Sequence, residues 1–74
     1  MKRRFEFVGG SSAKFWEVTV AQAMVTVCYG RLGTAGQTQS KTFGDSAAAE
    51  KHAEGLIRQK LAKGYAETEA SSPV

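Results

Sequence analysis

The sequence lacks the long apolar runs and paired cysteines that commit a chain to a membrane or to a disulfide framework. No uninterrupted apolar run exceeds three residues, whereas a membrane-spanning helix needs roughly 20. Glu6 interrupts the apolar stretch after the basic start Lys2-Arg3-Arg4, so this start does not match a secretory signal. The single cysteine, Cys28, has no internal partner, as is typical in a reducing cytosol. We therefore expect a cytoplasmic protein without a membrane partner.

Histidine is also scarce, and this scarcity argues against catalysis and metal binding. His52 is the only histidine among 74 residues, and no Cys or His spacing matches a metal site. A Ser-His-Asp or Cys-His catalyst needs a base oriented beside an activated nucleophile. A chain of this length builds a small core and no deep substrate pocket. The sequence predicts no enzyme activity, no cofactor, no metal site and no small-molecule substrate, and it gives His52 a structural or solvent-facing role.

The charges show a mild basic excess. Ten Lys and Arg face seven Asp and Glu, for a formal net charge of +3. Two of the acids, Glu67 and Glu69, lie near the C-terminus, so residues 1–65 carry ten basic and only five acidic side chains. An excess of this size is compatible with a polyanion partner.

Alternation of apolar and polar residues predicts three strands, and a polar segment predicts a fourth. The alternating segments cover residues 3–8, 14–20 and 24–29. Three residues of the second segment share one face: Trp16, Val18 and Val20. Only Ala21-Gln22-Ala23 separates the second and third segments, so they pair antiparallel, because a parallel crossover needs about a dozen residues. Residues 37–43 are expected to form a polar strand at the sheet edge.

Residues 47–63 are rich in helix formers and are expected to form one long helix. Asp45 or Ser46 can cap its first turn, and Gly64 supplies a left-handed stop. Apolar residues recur every three or four positions and form one stripe: Ala49, Ala53, Leu56, Ile57 and Leu61. Residues 66–74 lack an apolar period and are expected to form a disordered tail.

These elements define the expected fold class and domain organisation. The class is α+β, with a small antiparallel four-stranded sheet and one long C-terminal helix packed on it (ββββα). A single domain over residues 1–65 is expected, followed by the tail over 66–74.

A loop with three glycines, Gly30, Gly33 and Gly36, follows the third strand. It does not open a helix, so it is not a dinucleotide-binding fingerprint, and it lacks the Gly-Lys-Ser/Thr ending of a phosphate-binding P-loop. A tight loop that needs glycine is one interpretation.

The string Tyr29-Gly30-Arg31-Leu32-Gly33 resembles the WGR domain, a family named after a Trp-Gly-Arg motif. Phe15-Trp16-Glu17-Val18 and the ending Lys60-Leu61-Ala62-Lys63-Gly64-Tyr65 agree with this resemblance, which covers residues 1 to about 66. Tyr29 replaces the family's tryptophan; it keeps an aromatic face but loses the indole N–H. The resemblance implies a domain found in poly(ADP-ribose) polymerases, where it contacts DNA near strand ends and neighbouring protein domains, and in bacterial proteins.

The candidate site consists of the loop and the strand after it: Tyr29, Gly30, Arg31, Gln37, Gln39 and Lys41. Arg31 can clamp a phosphate or a carboxylate with two hydrogen bonds, or it can form a salt bridge to an acid such as Glu17 that pins the loop. Tyr29 either stacks on a sugar or base or packs beside Val25 and Val27. Gln37, Gln39 and Lys41 either contact phosphates or belong to a solvated edge strand.

The other cations are expected to play lesser roles. Arg3 and Arg4 can extend a basic surface, although three basic residues in a row are not specific. The helix cations are expected to line an ordinary solvent face: Lys51, Arg58, Lys60 and Lys63. The sequence thus predicts a non-enzymatic module that binds nucleic acid, DNA above all, with low sequence specificity through the Tyr-Gly-Arg loop. The alternative is a protein–protein interaction module that uses the same loop.

Overall fold

A computed structural model describes residues 2–71 and places them in a five-stranded antiparallel sheet with one helix. The elements in chain order are β1 (Lys2–Gly9), β2 (Ser12–Ala21), β3 (Met24–Arg31), β4 (Gln37–Thr42), α1 (Ser46–Ala62) and β5 (Ala66–Ser71). The strands lie in the order β4-β3-β2-β1-β5. The first four strands are therefore neighbours in chain order, and β5 returns to the edge beside β1.

The α+β class is confirmed, but the C-terminal part differs from the expectation of four strands and a final helix. Residues 66–71, expected to belong to a disordered tail, form β5 and pair antiparallel with β1. The helix therefore lies between β4 and β5, and the sheet extends past residue 65. Backbone pairing with β1 explains this strand, because an edge strand needs ladder hydrogen bonds more than an apolar period. The expected tail's last three residues, 72–74, lie outside the described residues.

The hairpin between β2 and β3 closes with a two-residue turn. Ala21 pairs with Met24, and Gln22 between them has a φ of 56°. This is the left-handed region that side chains other than glycine rarely adopt. The tight turn fixes the antiparallel register that the short link predicted.

The core lies between α1 and one face of the sheet. Phe5, Trp16 and Val18 are at most 3% exposed, and Ala49, Ala53 and Ile57 of the helix close over them. The helix begins at the predicted cap, where Asp45 Oδ1 accepts a hydrogen bond of 2.8 Å from Ala48 N. It ends at Ala62, and the predicted stop, Gly64, follows two residues later with a φ of 101°. Small alanines allow the helix to approach the sheet closely.

The apolar stripe of the helix is narrower than its spacing predicted. Leu56 is half-buried at the edge of the core, and Leu61 is 48% exposed. The prediction that Leu61 belongs to the buried stripe is wrong. Near that end of the helix the aromatic rings of Phe7 and Tyr65 pack against each other, with their centres 5.6 Å apart.

Candidate functional site

Close packing between the two ends of the loop after β3 explains two of its glycines. A Cβ on Gly30 would lie 2.8 Å from Gly36 Cα. A Cβ on Gly36, which has a φ of 73°, would lie 2.5 Å from the Tyr29 carbonyl oxygen and 2.7 Å from the Phe15 ring. Phe15 is 4% exposed, on the sheet face opposite the helix, because its neighbour Trp16 faces the helix. The loop therefore covers Phe15, which agrees with the interpretation of a tight loop that needs glycine.

Hydrogen bonds hold this loop against β2. Leu32 N donates to Ala13 O at 3.0 Å. Thr34 donates to Arg31 O twice, from its backbone N at 3.1 Å and from Oγ1 at 2.7 Å. The backbone on both sides of Arg31 is thus fixed by the rest of the domain.

Arg31 lies at the end of β3 with an exposed side chain. Within residues 2–68 its guanidinium has no hydrogen bond or ion pair. Glu17, the acid proposed in the bracing alternative, instead accepts from Arg4 Nη1 at 3.0 Å and lies 3.6 Å from Lys2 Nζ. The structure therefore leaves the Arg31 guanidinium available to an external ligand.

Tyr29 packs on the core, which is one of its two predicted roles, and its side chain also reaches the surface. It is half-buried against the core cluster, and its hydroxyl donates to Gln37 Oε1 at 3.4 Å. The strand register places Gln37 opposite Tyr29, Gln39 opposite Val27 and Lys41 opposite Val25. Directly paired residues share a face, so these polar side chains of β4 project from the same face as Tyr29.

A groove of about 490 Å³ runs between α1 and strands β3 and β4. Its floor is apolar and its rim is polar: Trp16, Val25 and Val27 below, and Gln39, Lys41 and Lys60 above. The helix covers the middle of the sheet and leaves β4 open, which creates the groove. It brings Tyr29, Gln39 and Lys41 together, while Gly30 and Arg31 lie outside its walls.

Lys60 is a candidate residue that the sequence analysis assigned to the solvent face. Its Nζ lies 5.7 Å from the Trp16 ring centre and 5.3 Å from that of Tyr65. Burial lowers the pKa of Lys60, and the charges of Lys63 and Lys14 lower it further. One signal in the sequence points to this position: Lys60 follows Ala53 by seven residues, which places it on the buried side of the helix.

Lys60 also lines a second, smaller cavity of about 340 Å³ at the end of the helix. We call this cavity the lysine pocket; its lining residues are Phe7, Lys14, Lys60, Lys63 and Tyr65. Within residues 2–68 no acidic side chain lines it, and its three lysines form no ion pair there. Lys14 pairs directly with Arg31 across β2 and β3, so the lysine pocket adjoins the glycine-rich loop.

The basic residues of β1 do not extend this surface. Glu67 binds Arg3 with two hydrogen bonds of 2.6 and 2.8 Å, and Arg4 Nε donates to Glu6 at 3.1 Å. In contrast, residues 18–44 contain no Asp or Glu. Acidic partners are therefore concentrated around β1, and the loop and β4 keep their positive charge.

Residues 2–71 contain neither a metal-binding cluster nor a membrane-spanning helix. No group of three or more His, Cys, Asp or Glu in this part of the chain is arranged to hold a metal ion. The helix in these residues is too short and too polar to cross a membrane.

Comparisons with known proteins agree with the resemblance of the motifs. The family model of the WGR domain matches residues 1–72. Two Escherichia coli K12 proteins are similar: the uncharacterized protein YfeS, 37% identical over 67 residues, and the protein YehF, 40% identical over 65 residues. The matches cover 90% and 88% of this chain but only 28% and 24% of those proteins.

A solved structure is similar as well. The crystal structure of a Bacteroides fragilis protein superimposes with a TM-score of 0.90 at 51% identity. It matches 93% of this chain and 20% of that protein. The fold described above thus occurs as a part of longer chains.

Proposed function

This chain belongs to the WGR domain family, and from that premise we propose that it is a non-enzymatic module that binds nucleic acid, DNA above all, with low sequence specificity. The surface proposed for this role comprises the six residues singled out in the sequence: Tyr29, Gly30, Arg31, Gln37, Gln39 and Lys41. We include the groove beside β4 in the proposed surface, because Tyr29, Gln39 and Lys41 line it.

The observation that carries the proposal is the exposed guanidinium of Arg31, which has no partner within residues 2–68 and stands on a loop that the fold holds in place. A planar guanidinium matches the oxygens of a phosphate with two hydrogen bonds. Because residues 18–44 contain no acid, no carboxylate of this segment competes for Arg31. The site is therefore suited to an anion that carries several phosphates.

The other residues fit contacts to the sugar and phosphate backbone. Gln39 and Lys41 on the groove rim can donate hydrogen bonds to phosphate and sugar oxygens, which position a nucleic acid without reading its sequence. Tyr29 offers the exposed part of its ring to a sugar or base. The exposed face of α1 carries Glu50 and Glu54 among its cations, and these acids are repelled by the phosphates that line a DNA groove. These features favour binding with low sequence specificity.

Titration of the labelled domain with short DNA, followed by amide chemical shifts, tests the proposal. Duplex, nicked duplex and single-stranded forms are compared. We expect micromolar or weaker binding at physiological salt. Two to four phosphate contacts would give a log–log salt slope of about −2 to −4 on duplex, since each contributes roughly −0.9. Absence of shifts with every form at low salt would contradict the proposal.

Arg31→Ala is the most informative single substitution. We expect DNA binding to weaken by roughly 1.5–3 kcal/mol, the range of a hydrogen bond to a charged group. Stability should change by less than about 1 kcal/mol, because the side chain is exposed. Arg31→Lys should rescue binding only in part, since an ammonium cannot form the two-pronged contact. Arg58→Ala removes an exposed charge from α1 and is the matched control.

A protein partner for the same loop is the second candidate. The observation that favours it is that the matched relatives are about four times longer than the match, so a neighbouring domain can lie against the loop. If no DNA form perturbs the amides, and Arg31→Ala weakens association with the part of YfeS that lies outside the match, this function replaces the first.

A further inference from the structure

The lysine pocket gathers positive charge that the fold does not neutralise. Lys14 comes from β2, Lys60 from the last turn of α1 and Lys63 from its C-cap, and all three line one cavity that has no acid of residues 2–68 in its wall. Mutual repulsion between lysines is unfavourable for folding. Such a cluster is therefore expected to serve a ligand that supplies negative charge.

The position of the pocket links the two parts of the proposed surface. Lys60 lines both the groove and the lysine pocket. Lys14 lies directly across β2 and β3 from Arg31, and cross-strand partners of this kind share a face. A band of positive charge, without an ion pair to any described side chain, thus runs from Lys41 through Lys60 and Lys14 to Arg31.

The walls of the pocket also strengthen its attraction for an anion such as a phosphate. The rings of Phe7 and Tyr65 lie 5.6 Å apart and form its apolar side, which lowers the local dielectric and strengthens a charge pair. The Nζ of Lys60 lies over the rings of Trp16 and Tyr65, so its ammonium is partly positioned before a ligand arrives. The lowered pKa of Lys60 shows that the site disfavours its own charge, a penalty that a bound anion would relieve.

The end of the helix opposes an anion, because its last carbonyls carry partial negative charge. Three of these carbonyls are already occupied by the capping amides: Lys63 N donates to Gln59 O, Tyr65 N to Lys60 O and Gly64 N to Leu61 O. Three full positive charges exceed the residual half-charge of the helix end. The net field in the pocket therefore remains positive.

We infer that the lysine pocket is a phosphate-binding subsite, formed by Lys14, Lys60 and Lys63, that holds a backbone phosphate of the nucleic acid next to the one bound by Arg31. This inference rests on the proposed function. It extends the interface from the loop to the end of α1, onto residues that the sequence pattern assigned to an ordinary solvent face.

Inorganic pyrophosphate tests the pocket without DNA. We expect its titration at low salt to shift the amides of residues 14 and 60–65, and to raise the pKa of Lys60. The variant Lys14→Gln/Lys63→Gln should lose these shifts, while Lys51→Gln/Arg58→Gln, which removes two exposed charges elsewhere on α1, should keep them. All four side chains are exposed, so neither variant is expected to unfold. Equal shifts in both variants would show an adventitious ion only and overturn the inference.

Duplex binding then tests the subsite in the proposed function. Lys14→Gln/Lys63→Gln should weaken binding by about tenfold or more and make the salt slope shallower by about 1, whereas the control should change both much less. If duplex binds but the two variants behave alike, the inference fails and the proposed function stands. If no DNA binds while pyrophosphate still shifts residues 14 and 60–65, the proposed function fails and the pocket stands as an oxyanion site.

Discussion

The two basic regions of this domain carry similar charge but are constructed in opposite ways. Around β1, three consecutive cations meet three glutamates: Glu6, Glu17 and Glu67. At the other end, the lysine pocket and Arg31 have no acidic partner within residues 2–68. A run of basic residues in the sequence is therefore a poor guide to a binding surface. The positions of the acidic residues in the fold determine which basic side chains remain unpaired.

The largest expected effect comes from the paired region. Glu17→Gln should lower the free energy of unfolding by about 1–3 kcal/mol, because it removes the negative charge that faces both Lys2 and the half-buried Arg4 and leaves Arg4 with Glu6 as its one carboxylate partner among the described side chains. Urea unfolding measures the change, with exposed Glu50→Gln as the control. Lys63→Gln, from the unpaired region, should stay within about 0.5 kcal/mol of the wild type. If Lys63→Gln costs as much as Glu17→Gln, the two regions do not differ as described.

A smaller effect concerns acid stability. The hydrogen bond from Arg3 lowers the pKa of Glu67 below its ordinary value of 4.5. A carboxyl with a lowered folded pKa stabilises the fold above its unfolded pKa, and this contribution is lost as the pH falls through the folded value. Because the pair is partly exposed, the contribution should be less than about 1 kcal/mol. Thermal unfolding from pH 6 to pH 2 should show a shallower loss in Glu67→Gln than in the wild type; parallel curves would contradict this prediction.

The smallest expected effect is a gain of stability, and it comes from a substitution in the unpaired region. The folded pKa of Lys60 lies below its ordinary value of 10.5. Between these two values the unfolded chain binds more protons, so stability rises with pH in that window. Lys60→Met keeps a long side chain beside Trp16 and removes the charge. At pH 7 we expect its free energy of unfolding to exceed that of the wild type by a few tenths of a kcal/mol, about the size of an exposed ion pair. We also expect its stability not to rise with pH in the alkaline window. A stability loss at pH 7 would show that the ammonium itself supports the fold.

Local pattern was sufficient to predict four strands and the helix with its cap and stop. Alternation and helix spacing report which face is buried, and Asp45 and Gly64 act on their own turns. β5 was not predictable in this way. Its sequence, Ala-Glu-Thr-Glu-Ala-Ser, has no apolar face, and the strand depends on pairing with β1 and on the contact between Arg3 and Glu67.

The candidate site was predictable only in part, for the same physical reason. Tyr29, Gln39 and Lys41 share the groove because the register of β3 and β4 is nearly local. The lysine pocket joins Lys14 to Lys63, which are far apart in the chain and meet only because α1 docks across the sheet. No spacing pattern in the sequence predicts that these two lysines lie close together.

The contact of Gly36 with Phe15 has a consequence for the strength of binding. Ordering a mobile surface side chain on association costs about 0.5–1.5 kcal/mol, and a floppy loop adds to that cost. Here the loop is seated on a buried ring and tied to Ala13 before any ligand arrives. The backbone that presents the guanidinium is therefore preorganised. A ligand of Arg31 would then bind without the cost of ordering this loop.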